Sequence, residues 1–375
     1  MNRVSEKKYG LDLSPQEWES WCLEKNLPRF AAAQIYQWIF QKGVTNPDLF
    51  SNLSKLVREE LKTCFYWELP HIDSHLISKD SSEKLLLKTR DNLLIEMVIM
   101  PYDHRLTLCL SCQVGCKMGC TFCQTGKMGL KRNLSSGEIL AQLVLANQIV
   151  QKRADEGRVT NVVFMGMGEP LDNYDAVVKA CKTMLDPNGF GLSTRRVTIS
   201  TSGIIPEIVR LGKDLPVRLA ISLHSADEQK RSEMMPVNRK YSLADLKVAL
   251  LDYPAPSRYG ITFEYVMIEG KNDTIADAKK LVKFLHGLKA KVNLIPINHF
   301  PGIEMKASDS ERIREFQAHL SHANIPAPVR YSKGTDVSGG CGQLAAKNEN
   351  ELHLDPRKLH QLRRREEKEK NAHDE

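Results

Sequence analysis

The feature that most constrains the fold is a regular alternation of strand-like and helix-like segments that begins near residue 105. Apolar runs of strand length recur six times, and stretches with helical apolar spacing separate them. The predicted strands are 106–112, 161–166, 196–203, 217–225, 261–270 and 292–300. The predicted helices lie around 135–152, 174–185, 204–212, 242–251, 274–287 and 308–322. This alternation is typical of an α/β protein with a parallel sheet, and right-handed crossovers leave an open sheet or a partial (β/α)6 barrel.

The sequence pattern before this core is different. Ser14 and Glu17 form a helix-starting capping box, and apolar positions at helical spacing follow, so a small helical module is expected. Short alternating runs between residues 70 and 104 predict antiparallel strands in a linker layer. The predicted organisation is therefore a helical module (1–69), a β linker (70–104), the α/β core (105–340), a loop segment (341–354) and a charged tail (355–375).

Composition restricts the class of protein without naming it. The 375 residues contain no apolar stretch long enough for a membrane span, and the first residues lack the apolar core of a secretion signal. A cytoplasmic location is the expectation. The formal net charge of +7 is compatible with a polyanionic partner but does not establish one.

The spacing of the cysteines indicates a metal or iron–sulfur site. Five of the nine fall between positions 109 and 123, and three of them form the spacing Cys116-x-x-x-Cys120-x-x-Cys123 directly after the first core strand. Three thiolates on one tight loop can ligate three corners of a 4Fe–4S cluster and leave one iron open. A structural zinc site is the alternative, although no second Cys or His pair has the usual spacing. Cys112 stays open as a fourth ligand.

Longer motifs carry a family resemblance. Seven segments occur in chain order: CQVGCKMGCTFCQTGKMGLKRNL, GMGEPLDNY, RRVTISTSGIIP, SLHSADEQKRSEMMPVN, FEYVMIEGKND, NLIPINHF and CGQL. Over roughly residues 15–350 the chain resembles the radical S-adenosylmethionine (SAM) methyltransferases that modify carbon 2 of an adenine in 23S rRNA and in tRNA (RlmN-like). The resemblance implies a radical SAM core that binds a 4Fe–4S cluster and SAM.

The resemblance also implies roles for individual residues. Cys116, Cys120 and Cys123 match the cluster ligands. Cys341 matches a cysteine that is methylated and then joined through that carbon to adenine, and Cys109 matches the thiol that releases the product as a disulfide. Glu96 matches the proton acceptor. The positions that match SAM contacts are Gly168, Glu169, Ser200, Ser222, Leu223, His224 and Asn298.

The implied partners are 23S rRNA, a tRNA whose anticodon loop carries the adenine, and an electron donor such as flavodoxin or ferredoxin. A monomer is expected. Basic residues that follow the cluster motif or precede the third strand are candidates for phosphate contacts; they are Lys127, Lys131, Arg132, Arg195 and Arg196.

Two departures from the family pattern matter. Cys112 stands where serine is usual, so it could be inert or could compete with Cys109. Gly339 and Gly340 precede Cys341 where small residues such as alanine are common, which predicts a looser loop. Two other functions remain open. One is the sibling activity on adenine carbon 8 (Cfr-like), which Pro170 in GMGEP disfavours, and the other is a non-catalytic, metal-stabilised RNA-binding protein.

Overall fold

The computed structural model describes residues 7–152, 157–255, 260–300 and 302–345. The predicted charged tail (355–375) and most of the predicted loop segment (341–354) lie outside the described residues.

The elements follow the predicted alternation. The strands are β1 (Lys8–Tyr9), β2 (Phe65–Tyr66), β3 (His71–Ile77), β4 (Glu83–Lys88), β5 (Leu94–Tyr102), β6 (Arg105–Cys109), β7 (Gln113–Cys116), β8 (Gly129–Asn133), β9 (Asn161–Phe164), β10 (Val197–Thr201), β11 (Arg218–Ser222), β12 (Ile261–Met267) and β13 (Ala290–Pro296). The helices are α1 (Pro15–Glu24), α2 (Phe30–Phe40), α3 (Lys55–Cys64), α4 (Gln124–Lys127), α5 (Ser136–Gln151), α6 (Tyr174–Leu185), α7 (Ile205–Asp214), α8 (Glu228–Met234), α9 (Leu243–Leu251), α10 (Ile275–Leu285) and α11 (Ser310–His322).

Six parallel strands form the core of the main sheet, in the order β6-β9-β10-β11-β12-β13. Helices connect successive strands, and side chains from all six strands face a common interior. The predicted partial (β/α)6 barrel is confirmed. Because all six strands run the same way, their carboxyl ends meet at one rim of the barrel.

The strands predicted between residues 70 and 104 are antiparallel, as expected, but they continue the barrel sheet. β5 pairs with β6 so that Val98 lies opposite Cys109 and Tyr102 lies opposite Arg105. β4 and β3 extend the sheet to nine strands. Residues 94–99 of β5 are all buried, since barrel and linker elements cover both faces of this strand. The linker and the core therefore share one sheet.

The N-terminal module is a helical bundle fixed to the barrel. The Ser14 hydroxyl accepts from the Glu17 amide at 3.2 Å, and the Glu17 carboxylate accepts from the Ser14 amide at 2.6 Å, as the predicted capping box requires. Trp18 lies fully buried in the bundle core. The Asp12 carboxylate accepts from the Gly137 amide at 2.6 Å, which ties the module to the first turn of α5.

The described residues include no helix that is both long and apolar enough to cross a membrane.

Candidate active site

A cavity at the carboxyl-terminal rim of the barrel gathers most of the predicted site. Ten predicted residues line it, namely Cys116, Cys120, Cys123, Gly168, Glu169, Ser200, Ser222, His224, Asn298 and Cys341. Leu223 lies behind this wall with its side chain in the core, and its amide donates to the Glu264 carbonyl at 3.0 Å.

The cysteine loop follows β7 and runs along one wall of this cavity. Gly115 has φ +77°, and a Cβ there would lie 1.8 Å from a backbone oxygen of β8, so a side chain has no room. The Cys123 amide donates to the Cys120 carbonyl at 3.2 Å, which closes the loop. Burial raises the pKa of the Cys116 thiol to about 12.

The three thiols fit an iron–sulfur cluster by their chemistry, since thiolates are the usual ligands of such clusters and all three side chains face one cavity. Among the described residues, no three His, Cys, Asp or Glu side chains are grouped closely enough to hold a single metal ion. Cys116, Cys120 and Cys123 are the residues that would hold a cluster.

Gly168 and Glu169 form a tight turn after β9. Gly168 has φ +103°, and a Cβ would lie 2.6 Å from the Gln113 side chain, so only glycine fits. The Glu169 carboxylate accepts from the Ser202 amide at 2.8 Å and from the Leu171 amide at 3.1 Å. Burial raises the pKa of Glu169, although these hydrogen bonds oppose the shift. Glu169 therefore joins the ends of two neighbouring strands as well as facing the cavity.

His224 is held as a neutral imidazole with a fixed tautomer. Burial, with a smaller contribution from the Arg231 charge, lowers the pKa of His224 to about 3. Its Nδ1 accepts from the Val266 amide at 3.0 Å, so the proton resides on Nε2. The ring meets Phe122 edge to face at 4.7 Å between centroids. His224 has φ +58°, a left-handed conformation that is uncommon for residues other than glycine.

Arg231 is a site residue that the sequence reasoning missed. Its buried guanidinium donates to the Leu223 carbonyl at 3.1 Å and to the Ser202 carbonyl at 2.7 Å. A third hydrogen bond reaches the Ser222 carbonyl at 3.2 Å. Arg231 thus fixes the strand ends that carry the predicted SAM contacts, and only the tertiary fold brings these carbonyl groups together.

The Cys341 loop is anchored at several points. The Cys341 carbonyl accepts from Asn298 Nδ2 at 2.9 Å, and the Gly340 amide donates to Gln343 Oε1 at 2.9 Å. The Gly342 carbonyl accepts from the Gln124 amide at 2.8 Å. These bonds hold the loop against the cluster loop and β13 despite its glycines, and Cys341 itself is exposed to the cavity.

Cys341 also borders a second cavity, which fills the barrel interior toward the amino ends of the strands. Cys109 lies on its wall. Although part of the residue is exposed, desolvation of the Cys341 thiol between the two cavities raises its pKa to about 11. The charges of Glu264 and Cys123 act in the same direction, and that of Arg330 opposes them. Burial likewise raises the pKa of Cys109, and the proximity of Cys341 adds to the shift. Cys341 therefore lies between a cluster cysteine and the predicted releasing thiol.

The second cavity, which we call the basic cleft, is strongly cationic. Its lining includes five basic side chains, Arg105, Arg218, Lys291, Arg330 and Lys333. Burial lowers the pKa of Arg218, and the charges of Arg195, Arg105 and Arg196 lower it further. Within the described part of the chain, none of the five lining residues forms a salt bridge.

Glu96 lies outside both cavities. It is buried in β5, on the same face of the sheet as Val98 and its cross-strand partner Cys109. Its carboxylate forms a 2.8 Å ion pair with Lys84 Nζ, and Lys84 also donates to the Ser338 carbonyl at 3.3 Å. Lys84 thereby connects Glu96 to the segment that leads into the Cys341 loop.

The structure also locates Cys112 and Arg132. Cys112 is buried behind the cluster loop, where its thiol contacts the Met167 carbonyl at 3.7 Å and lies near Cys116 rather than Cys341. This position favours an inert thiol over a competitor of Cys109. The guanidinium of Arg132 binds Asp91 and Glu138, so it is engaged within the protein.

Comparison with known proteins agrees with this geometry. Residues 110–285 match the model of the radical SAM superfamily, and residues 11–66 match the ribosomal RNA large subunit methyltransferase N-terminal domain. A crystal structure of a radical SAM methyltransferase from Sphaerobacter thermophilus superposes with a TM-score of 0.86 at 39% identity, covering 91% of this chain and all of that one. The fold and the cysteine loop thus define a radical SAM protein.

Two curated relatives narrow the assignment. The dual-specificity RNA methyltransferase RlmN of Nautilia profundicola is 42% identical over 92% of this chain and 99% of that protein. RlmN of Bradyrhizobium diazoefficiens is 44% identical over 84% of this chain and 82% of that protein. The chain belongs to the RlmN family of radical SAM RNA methyltransferases, whose cofactors are a 4Fe–4S cluster and SAM.

Proposed function

We propose that the protein methylates carbon 2 of an adenine in 23S rRNA and of an adenine in the tRNA anticodon loop, with Cys341 as the methyl carrier. The position of Cys341 carries the proposal. This residue borders both the rim cavity with the three cluster cysteines and the basic cleft that contains Cys109. A methyl group on its sulfur would face the cofactor site on one side and an incoming base on the other.

The basic cleft suits an RNA substrate. Arg105 and Arg218 begin their strands, and Lys291 is the second residue of β13, so the charge lies at the amino ends of the barrel, opposite the cluster loop. The buried Nε of Arg218 has no hydrogen-bond partner among the described residues. Phosphate oxygens supply both the charge and the acceptors that such side chains require.

When bound, SAM would supply the methyl group carried by Cys341, and SAM together with the reduced cluster would supply the radical that takes one hydrogen atom from it. The chain contributes the remaining chemistry. Gly168, Glu169, Ser200 and Ser222 line the cavity where SAM would bind, and Leu223 supports this wall from behind. Two further positions, His224 and Asn298, present polar groups to the same space.

Glu96 and Cys109 complete the reaction in this proposal. Once the carbon on Cys341 is bonded to adenine, Glu96 takes the proton that leaves carbon 2, and one electron leaves the radical adduct, for which the oxidised cluster, when bound, would be the acceptor. The Cys109 thiolate then attacks the Cys341 sulfur, so the carbon–sulfur bond breaks, a disulfide forms and the carbon takes up a proton to become the product methyl group. A dithiol reductant restores both thiols.

The remaining assignments follow from this chemistry. An electron donor such as flavodoxin or ferredoxin reduces the cluster, and the N-terminal module (residues 1–69) contributes to RNA binding. We further propose a cytoplasmic monomer, because one adenine is modified at a time.

Nucleoside mass spectrometry tests the proposal. Anaerobically reconstituted protein is incubated with SAM, a reductant and either a 23S rRNA fragment or a tRNA, beside Cys341→Ala. We expect 2-methyladenosine from the unaltered protein and none from the variant. Formation of 8-methyladenosine would show that the protein methylates carbon 8 instead of carbon 2. SAM cleavage without any modified adenosine would refute an RNA substrate of this kind.

A further inference from the structure

Glu264 is a buried acidic side chain that the chemistry above leaves without a role. It lies in the middle of β12 and borders both the rim cavity and the basic cleft. Cys341 lines the same two cavities, so the Glu264 side chain lies near that thiol. Glu264 therefore stands where the reacting carbon of a bound base must come.

One carboxyl oxygen of Glu264 is bound within the protein, and the other is available to a ligand. Asn293 Nδ2 donates to Oε1 at 2.8 Å. The other oxygen, Oε2, has no hydrogen-bond partner in the part of the chain that the structure describes. Because Oε1 is already an acceptor, a proton on this carboxyl group resides on Oε2, at the side away from Asn293.

Burial and nearby charges shift the balance between the ionised and the neutral form of this group. Burial raises the pKa of Glu264, while Arg330, Asn293 and Lys291 act in the opposite direction. Burial dominates, so the neutral carboxylic acid is favoured relative to an ordinary glutamate. Such an acid presents one donor and one acceptor side by side, as the amides of Asn and Gln do when they read adenine.

Resting on the function proposed above, we propose that Glu264 is a specificity-determining residue that reads the Watson–Crick edge of the target adenine. Its Oε2 hydroxyl donates to ring N1 and its Oε1 accepts from the 6-amino group. N1 is bonded to carbon 2, so this pairing places carbon 2 beside Cys341. Guanine presents a donor at N1 and an acceptor at O6, and both positions clash with this pattern.

The hydrogen bond to N1 has a second consequence. It withdraws electron density from the neighbouring carbon 2, which makes that carbon a better acceptor for the carbon radical on Cys341. Glu264 would thus act on selection and on the addition step. Asn293 is a positioning residue in this arrangement, because it fixes which Glu264 oxygen carries the proton.

Modified RNAs test the pairing on the unaltered protein. A hairpin with one target adenosine is compared with hairpins that carry purine riboside, which lacks the 6-amino group, or 1-deazaadenosine, which lacks N1. We expect kcat/KM for methylation and RNA affinity by fluorescence anisotropy to favour adenosine by about 5- to 150-fold, the usual value of one bidentate base contact. Equal use of all three hairpins would overturn the proposal. Because the test uses the unaltered protein, its outcome does not depend on whether a variant folds.

Two variants test whether Glu264 is the reader. Glu264→Leu should lose that preference and treat adenosine and purine riboside alike, whereas Glu264→Gln, which keeps a donor beside an acceptor, should retain most of it. Glu311→Gln, at an exposed carboxylate on α11, is the matched control. If Glu264→Leu keeps the preference for adenosine, the proposal is overturned. A loss of SAM affinity in this variant as large as its loss of RNA affinity would also overturn it. Failure of the unaltered protein to form 2-methyladenosine would instead refute the proposed function.

Discussion

Lys84 and Glu96 form a buried ion pair, 2.8 Å from Nζ to Oε1, in which both side chains are almost fully enclosed. They lie on adjacent strands, since β4 pairs antiparallel with β5. Lys84 also holds the Ser338 carbonyl, so one ammonium group connects the proposed proton acceptor to the segment that carries Cys341. The pair has consequences for both stability and activity.

Removing Lys84 should destabilise the protein strongly. In Lys84→Met the Glu96 carboxylate loses a buried partner, and breaking a buried ion pair on one side costs about 3–5 kcal/mol of unfolding free energy. Urea unfolding measures this value. Lys84→Met/Glu96→Leu should regain much of the loss, because apolar side chains then replace the buried pair as a unit. Lys79→Met, at an exposed site on the same hairpin, should change little. A loss below about 1 kcal/mol in Lys84→Met would contradict a buried pair.

Cys109→Ser should trap the RNA on the protein. The proposed release step requires a thiolate that attacks the Cys341 sulfur, and a serine hydroxyl cannot form the disulfide. We expect a covalent protein–RNA adduct on a denaturing gel, absent in Cys341→Ala. Cys112→Ser is the matched control, because Cys112 is buried on the cluster side and should release product normally. An adduct in Cys112→Ser and none in Cys109→Ser would reverse the two assignments.

The lifetime of that adduct in the unaltered protein should depend on pH. Burial raises the pKa of Cys109, so the group is a thiol throughout the neutral range. Below a raised pKa, the thiolate fraction grows about tenfold per pH unit, and the thiolate is the nucleophile. Rapid-quench sampling between pH 7 and 9 should therefore show faster release at higher pH. A release rate that is independent of pH would show that the thiol proton is not lost before the attack.

Basic residues of the cleft should set RNA affinity and its salt dependence. Arg218→Ala and Arg330→Ala should each weaken RNA binding and lower the slope of log affinity against log salt by about one unit, as expected when one phosphate contact is lost. Fluorescence anisotropy across a salt series measures this slope. Arg314→Ala, at an exposed position on α11, should leave both quantities unchanged. An unchanged slope in the cleft variants would exclude this cleft as the phosphate-binding surface.

Sequence periodicity predicts the barrel well. The helix predicted at 174–185 coincides with α6, and each of the six core strands lies within its predicted segment apart from one or two residues at the amino ends of β6 and β13. Local signals suffice there because apolar alternation, caps and glycine turns are themselves local. The cluster spacing is likewise local, since all three cysteines lie on one loop.

The residues that sequence reasoning missed depend on long-range pairing. Arg231 binds three carbonyl groups in two other segments, and Lys84 is linked to Glu96 only by strand register. Glu264 does carry a local signal, because it alternates with apolar residues in a strand that is otherwise buried. That signal shows an inward-facing acid but not the cavity or the cysteine that it meets. Glycines around Cys341 predicted a looser loop, whereas side chains distant in sequence, such as Asn298, hold it.

Isotope labelling tests the methyl-carrier role of Cys341 most directly. The RNA is modified with SAM that carries a CD3 group, and the product nucleoside is weighed. Because one deuterium leaves while the carbon is bound to Cys341 and a proton from the protein or solvent replaces it at release, we expect 2-methyladenosine with two deuterium atoms. Retention of all three would mean direct transfer from SAM to RNA, and would contradict a carbon that passes through Cys341.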